Sequence, residues 1–416
     1  MPSITIVENG AGPSPRTQLQ IASLRGAGWR VVVVGRGESG EGALGCADSI
    51  EQVSVSADTF HPFSTVRRQM VLEHGSASSH AAVAKAAGQS PTPLGVPYPF
   101  GVDPIRLERF WYAAASAAAD RPCDLIQASD LDALPAVVWA ADAARQRPAV
   151  VFDSHELYPE LTYVPEVFRE AWRELARRFV VRCDLSIAVS AQMAEKLSQW
   201  YGATRTCVIH NVPPTTESST GDVRSRLGLG RDQPLAVHVG AIAPNRRIDQ
   251  VVALLVRIPS LHIVLVGIEA DSERYQQLAG VAAGEGVATR LHAVEAQPRE
   301  ELVAFLRSAD VSLITYPPEG EHLRVTLPNK LFDSLAAGLP IVAAAGTAAV
   351  SFARSLGVGV EFRAFELDEF ADRVQQVLDS PTLTTAARRM AGRFRWEDEG
   401  CRYLEALSEL LRPNDS

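Results

Sequence analysis

Short apolar runs alternate with helical stretches along this chain, and a linker divides the alternation into two blocks. Runs at 3–7, 30–35, 123–127, 148–152, 184–189 and 205–209 predict strands, and 15–27, 132–145, 166–182 and 190–201 predict helices between them. After Asn211 the chain turns to Val-Pro-Pro-Thr-Thr-Glu-Ser-Ser-Thr-Gly221, polar, with paired prolines and no apolar period, which is linker composition. The pattern then restarts, with strands near 234–239, 261–266, 289–294, 310–315, 339–344 and 357–361. Each strand–helix–strand unit places parallel strands in one sheet and covers its faces with helices. Two such blocks predict an α/β chain of two Rossmann-like, doubly wound parallel-sheet domains. At 416 residues the chain also exceeds the size at which a single core keeps growing. The expected division is 1–212, then 222–392, then 393–416. The last piece is a helix carrying Trp396, Tyr403, Leu404, Leu407 and Leu411 that packs back on the first domain. Residues 36–122 carry little period, with loops around Gly37–Gly45 and Ser76–Gly101, and acceptor specificity is expected there.

A net charge of −9 and a pI of about 5.6 argue against a general nucleic-acid binder. Five cysteines at 46, 123, 183, 207 and 401 form no CxxC pair or zinc-spaced cluster, which suits reduced thiols in a cytoplasm. No run approaches 18 apolar residues, and the chain opens into Ile4-Thr-Ile-Val7 rather than a basic stretch before an apolar one. The expectation is no signal peptide and no membrane span, with peripheral contact through the basic amphipathic helix 165–182 as a minor option. The Arg, Ala, Gly and Val bias suits a high-GC bacterial genome. A homodimer is compatible with all of this.

In open parallel sheets ligands sit beyond the carboxyl ends of the strands. Two such sheets can face their strand ends across one cleft, so the motifs should follow strands, and they do. The richest is Thr326-Leu-Pro-Asn-Lys-Leu-Phe-Asp-Ser-Leu-Ala-Ala-Gly-Leu-Pro-Ile-Val-Ala344. Pro328 starts a helix, and Asn329, Lys330 and Asp333 fall on one of its faces. A helix N-terminus favours an anion, Lys330 adds a full charge there, and Asp333 one turn deeper can accept from sugar hydroxyls. Only 3 of the 40 basic residues are Lys, so a Lys at this place points to a compact ammonium.

Further motifs follow other strands. Glu8-Asn-Gly-Ala-Gly-Pro-Ser-Pro-Arg16 has Gly10 and Gly12 for close backbone approach and Pro15 to open a helix. In Asp153-Ser-His-Glu156, His155 can donate to a sugar hydroxyl or phosphate, with Glu156 or Asp153 orienting its ring. Gly240-Ala-Ile-Ala-Pro-Asn-Arg-Arg-Ile248 brings Arg246 and Arg247 to a helix start, where they can clamp a diphosphate. Val264-Leu-Val-Gly-Ile-Glu269 ends a strand at a glycine against which a base can lie. Asp130-Leu-Asp132 reads either as a metal clamp or as the capped start of a helix. His238, His262 and His292 fall on strands and read as core residues. No Walker loop, HExxH or Ser/His/Asp set is present.

Taken together, these motifs resemble the GT-B glycosyltransferases, most closely the retaining family four. Pro15-Arg16, Asp130-Leu-Asp-Ala-Leu-Pro135, Asp153-Ser-His-Glu156, Ile209-His-Asn-Val-Pro213, Gly240 to Arg247, Leu327 to Asp333 and Ala336-Ala-Gly-Leu-Pro340 carry the resemblance in order. It implies a nucleoside-diphosphate sugar held mainly by the second domain and no metal or other cofactor. The implied catalytic groups are Arg247 and Lys330 on the diphosphate and His155 facing the donor sugar. Implied donor contacts are Asp333 on the ribose, with Gly12, Gly240, Arg246, Glu269 and Asn329 around it. Arg16, Asp130 and Glu156 are expected on the acceptor side of the cleft. Attack from the leaving-group side, with retention, is likewise implied by the resemblance alone. The chain departs from the family pattern at Val325, where the first of two acidic residues often stands, and at Ala241, often an arginine. The expected function is hexosyl transfer to a small molecule or glycolipid precursor, for a surface polysaccharide or a secreted product. A nucleotide-sugar epimerase and a non-catalytic sugar-nucleotide-binding protein are the alternatives.

Overall fold

A computed structural model describes residues 1–10, 12–36, 50–55, 104–162, 164–215, 221–242 and 246–412. The loops expected around Gly37–Gly45 and Ser76–Gly101 lie outside these residues. The chain forms two compact units, one of Met1–His210 with Gly400–Ser416 and one of Asn211–Glu399. No helix of the described residues is long and apolar enough to cross a membrane.

The first unit carries a parallel sheet of β1 (Ser3–Glu8), β2 (Arg30–Arg36), β3 (Ile50–Val55), β4 (Leu125–Ser129), β5 (Ala149–Ser154), β6 (Leu185–Ala188) and β7 (Thr206–Val208). Their order is β3-β2-β1-β4-β5-β6-β7, so the sheet reverses direction of build between β1 and β4. The central strands are apolar on both faces, as a sheet covered twice requires. In β2, Val31, Val32, Val33 and Val34 are all buried. The helices are set by local chemistry. Ser14 caps Pro15–Gly26 by accepting from the Thr17 N–H, and Ser190 caps Ala191–Tyr201 by accepting from the Met193 N–H. The helix Trp396–Leu410 buries Tyr403, whose hydroxyl donates to Gln127 of β4 at 2.7 Å.

The second unit repeats the plan with β8 (Leu235–Val239), β9 (His262–Val266), β10 (Leu291–Val294), β11 (Val311–Ile314), β12 (Ile341–Ala344) and β13 (Gly359–Phe362). The order β10-β9-β8-β11-β12-β13 puts its switch point between β8 and β11. Alternate side chains feed two cores. Ile263 and Leu265 pack with Val251, Leu255, Phe370 and Val374, while Val264 and Val266 pack with Leu302, Phe305 and Leu306. Burying each such side chain is worth about 1.5–3 kcal/mol. The helix Asn329–Ala336 ends at Gly338, φ 76°, whose N–H donates to Leu335 O at 3.0 Å. A Cβ there would stand 3.2 Å from Arg388 Cα, so the turn needs glycine for its conformation and for space.

The edge strand β3 and the helix Pro104–Ala119 fall inside the stretch where the sequence showed little period. Edge position explains the strand: among the described residues Ile50-Glu-Gln-Val-Ser-Val55 pairs only with β2 and needs no continuous apolar run.

Candidate active site

In the second unit the chemistry gathers at the carboxyl end of the sheet beside its switch point. Lys330 stands at the second position of Asn329–Ala336, with Nζ 3.4 Å from His238 Nε2 and 5.9 Å from the centre of the Tyr316 ring. His238 is wholly buried on β8, and its Nδ1 lies 3.2 Å from the carbonyl of Leu313. The ring's other nitrogen, Nε2, is the one turned toward the Lys330 ammonium. Burial and the Lys330 charge hold the His238 imidazole well below its ordinary value, hence neutral. Gly240, φ 91°, follows the same strand, and a Cβ added to it would come within 3.8 Å of Lys330 Nζ.

Arg246 lies with Cζ 5.1 Å from the centre of the same tyrosine ring. Its carbonyl accepts a short hydrogen bond from the hydroxyl of Thr315, directly after β11. Among the described residues, neither Arg246 nor Lys330 has a carboxylate within ion-pairing distance. Burial, then the Arg246 charge, pushes the Lys330 ammonium down to about 7, with Asp333 pulling weakly the other way. Asp333 is 3% exposed, and among the described residues its Oδ1 has no hydrogen-bond partner. Burial raises its carboxyl to about 6 against the opposing charges of Arg299 and Lys330. Two cations from different elements, without anions among the described residues, thus gather beside the Tyr316 ring, and a carboxylate without a donor lies one turn into the helix that Lys330 opens, an arrangement complementary to phosphate next to a diol.

In the first unit the carboxyl ends of β4 and β5 build around a histidine. His155 has Nδ1 3.2 Å from Asp130 Oδ2 and Nε2 3.0 Å from Asp153 Oδ2. Burial alone would favour the neutral ring, but the two carboxylates outweigh it and push the imidazolium up to about 10. Asp130 adopts φ 68° and also accepts from the backbone N–H groups of His155 at 2.8 Å and Glu156 at 3.2 Å. Asp153 is fully buried and takes two bonds from Arg16, at 2.9 and 3.0 Å, and one from Gln20 at 2.5 Å. Nearby, Asn9 donates to Asp132 at 2.9 Å, and burial with the Asp130 charge raises the Asp132 carboxyl to about 8.

Two family models cover nearly the whole chain. Glycosyltransferase Family 4 matches residues 19–215 and Glycosyl transferases group 1 matches residues 220–393. The chain belongs to the GT-B glycosyltransferases of the family-four type. Among curated relatives, D-inositol 3-phosphate glycosyltransferase of Nocardia farcinica is 29% identical over 56% of this chain and 54% of its own length. The protein of that name from Geodermatophilus obscurus is 30% identical over 52% and 51%. The chain thus matches about half the length of these relatives. Among solved structures, sucrose-phosphate synthase from Thermosynechococcus elongatus aligns over 99% of both chains with a TM-score of 0.73 and 18% identity. Anabaena HepE in complex with UDP-glucose aligns over 98% of this chain and 99% of its own, with a TM-score of 0.63 and 19% identity. These two likenesses concern the fold.

In this family member the expected residues are distributed unevenly. Lys330, Arg246, Gly240 and Asp333 come together, with Asn329 exposed beside them. Arg247, expected to grip the diphosphate with Lys330, instead places its guanidinium on Asp249 at 3.0 and 3.2 Å and over the Phe365 ring at 4.4 Å. Its backbone adopts φ 51°, in the left-handed region. Glu269 is exposed on the loop after β9. Arg16, expected at the cleft, is 2% exposed and satisfied by Asp153 and the Ile209 carbonyl, so it is a core residue. His155, expected to donate to a sugar, has both ring nitrogens directed at carboxylates, and Asp153 and Asp130 orient it rather than Glu156. Glu156 is half-buried, and Gly12 is exposed with open space around it. Sequence reasoning missed Tyr316 and the contact made by His238. Both had a usable signal, since each lies at or just beyond the carboxyl end of a strand flanking the switch point.

Proposed function

We propose that the chain transfers a hexosyl group from a nucleoside-diphosphate sugar to a hydroxyl of a small molecule or glycolipid precursor. The pairing of Arg246 and Lys330, cations with no carboxylate against them among the described residues, beside the unpartnered Asp333, carries the reading. The diphosphate rests on the two cations and the first amides of Asn329–Ala336, and the ribose diol donates to Asp333. The bond from the anomeric carbon to the diphosphate oxygen breaks while the acceptor oxygen bonds to that carbon. The departing phosphate takes the acceptor's proton. Fixed cations stabilise the leaving charge more in the transition state than in the ground state, which is what accelerates the step. Family membership supports reading the transfer as retaining and as cytoplasmic, where nucleotide sugars are made. The names of the curated relatives add a cyclitol-type acceptor as a candidate. Metal independence is supported by the occupation of the two candidate clamp residues: Asp130 accepts from two backbone amides and faces His155, and Asp132 accepts from Asn9.

A thermal-shift panel of UDP-, GDP-, ADP- and dTDP-sugars tests this, since a ligand of the folded state raises Tm. One donor is expected to raise Tm by several degrees and, with a polyol acceptor, to release free nucleoside diphosphate with EDTA present. No shift with any donor overturns the reading. An altered sugar without transfer indicates an epimerase, and binding without turnover a carrier. Strict loss of activity in EDTA moves the diphosphate to a metal.

Binding should also be linked to protons. The free Lys330 loses its charge near pH 7, and a bound diphosphate restores it. Nucleoside-diphosphate affinity is therefore expected to fall up to tenfold per unit as pH rises above about 7, with proton uptake on binding. Calorimetry in buffers of different ionisation enthalpy reads this directly. A flat profile from pH 7 to 9 would show that Lys330 is already charged in the free protein.

A further inference from the structure

Arg246 and Lys330 are like charges on different elements, one before the helix Asp249–Arg257 and the other opening Asn329–Ala336. Each lowers the other's tendency to stay near, since two unit charges in a partly dry site repel. Between β11 and the helix Gly320–Val325 stands Tyr316, wholly buried, and both cations lie over its ring at 5.1 and 5.9 Å. Its neighbour Thr315, also buried, donates to the Arg246 carbonyl. Two consecutive residues at the end of one strand thus fix Arg246 at its backbone and at its side chain. Among the described residues the Tyr316 hydroxyl has no hydrogen-bond partner.

We propose that Tyr316 is the positioning residue of the phosphate site, its ring face holding Arg246 and Lys330 where a diphosphate meets both. The negative face of an aromatic ring attracts cations most strongly when water is excluded. It offsets part of the repulsion between the two charges before an anion arrives, so the site is formed in advance of binding. This rests on the diphosphate reading above. Tyr316 touches neither the sugar nor the reacting atoms in this scheme.

The test compares Tyr316→Phe and Tyr316→Leu by titration with inorganic pyrophosphate and with UDP, GDP and ADP, each beside its nucleoside. Tyr316→Phe keeps the ring and removes an unbonded buried hydroxyl. It is expected to bind pyrophosphate and the diphosphates within twofold of the parent and to melt a few degrees higher. Tyr316→Leu is expected to bind them about tenfold more weakly, with nucleoside affinity unchanged and KM for the donor raised more than kcat is lowered. A Phe variant that loses phosphate affinity overturns the inference, because the hydroxyl would then be the working group. So does a Leu variant that binds phosphate like the parent, or one that loses nucleoside and diphosphate binding equally. If the Leu variant does not fold, Tyr316→Met replaces it, with the same expected and overturning results. Should the parent bind none of these phosphates, the diphosphate reading itself fails and this inference with it. Parental binding with unaffected variants leaves that reading standing and removes only Tyr316.

Discussion

Replacing Lys330 by Ala is expected to lower sugar transfer by about 100- to 1000-fold while leaving the fold intact. A charge-assisted hydrogen bond to phosphate is worth about 1.5–3 kcal/mol, and removing one preorganised donor from a developing oxyanion costs about 2.7–4 kcal/mol. The loss should appear in kcat as well as KM, because charge builds on the diphosphate as it leaves. The stability effect runs the other way. Lys330 ionises near 7 in the fold, below its ordinary 10.5, because burial and Arg246 disfavour the ammonium. Between those two values the unfolded chain binds more protons than the folded one, so this group makes stability rise with pH over that window. Lys330→Met removes both the penalty and the slope, and should melt no lower than the parent at pH 7. Single-turnover kinetics with the donor found by thermal shift, beside denaturant melts, checks both halves. Transfer within a few-fold of the parent would end the assignment.

Replacing Asp153 by Asn is expected to cost about 3–5 kcal/mol of stability, the usual result of breaking a buried ion pair on one side. Asp153 is fully buried beneath Arg16, Gln20 and His155, and Arg16 is itself 2% exposed. Without the carboxylate, a buried guanidinium and an imidazolium lose their shared anion. Burial would raise the Asp153 carboxyl, yet Arg16 and His155 hold it well below the usual carboxylate range. Its contribution is therefore present above the ordinary value of 3.8 and lost as pH falls toward the folded one. His155 acts oppositely: with its value raised from 6.5 to about 10, its contribution is full below 6.5 and disappears as pH rises through 10. Urea melts of parent and variant across this range should show the alkaline slope shrink in Asp153→Asn, with a midpoint drop of about 1 M or more. A loss below 1 kcal/mol would mean that Arg16 is satisfied without Asp153.

Much of the architecture was written locally. Apolar runs such as Arg30–Arg36 and Leu235–Val239, closed by turn residues, can only be strands buried on two faces, and the capping residues Ser14 and Ser190 begin helices wherever the chain goes. The stretch 326–344 was equally legible because proline, glycine and one rare lysine mark a helix start from neighbouring positions. The loops around Gly37–Gly45 and Ser76–Gly101 had no comparable period, and little could be read from them.

What sequence left open was which charge meets which. Arg16 and Arg247 look like ligand-binding residues by their place after strands, yet one is taken by Asp153 from 137 residues away and the other by Asp249 at its own helix start. Nothing near Tyr316 in the chain announces that Arg246 and Lys330 converge on it. Local periodicity determined that there would be two parallel sheets and where their strands end, because backbone pairing and apolar burial depend on near neighbours in the chain. Tertiary structure decided how Arg16 is satisfied and that Arg246 and Lys330 meet, because a charge is neutralised by whatever lies within a few ångströms, and for these residues that is settled only when distant strands come side by side.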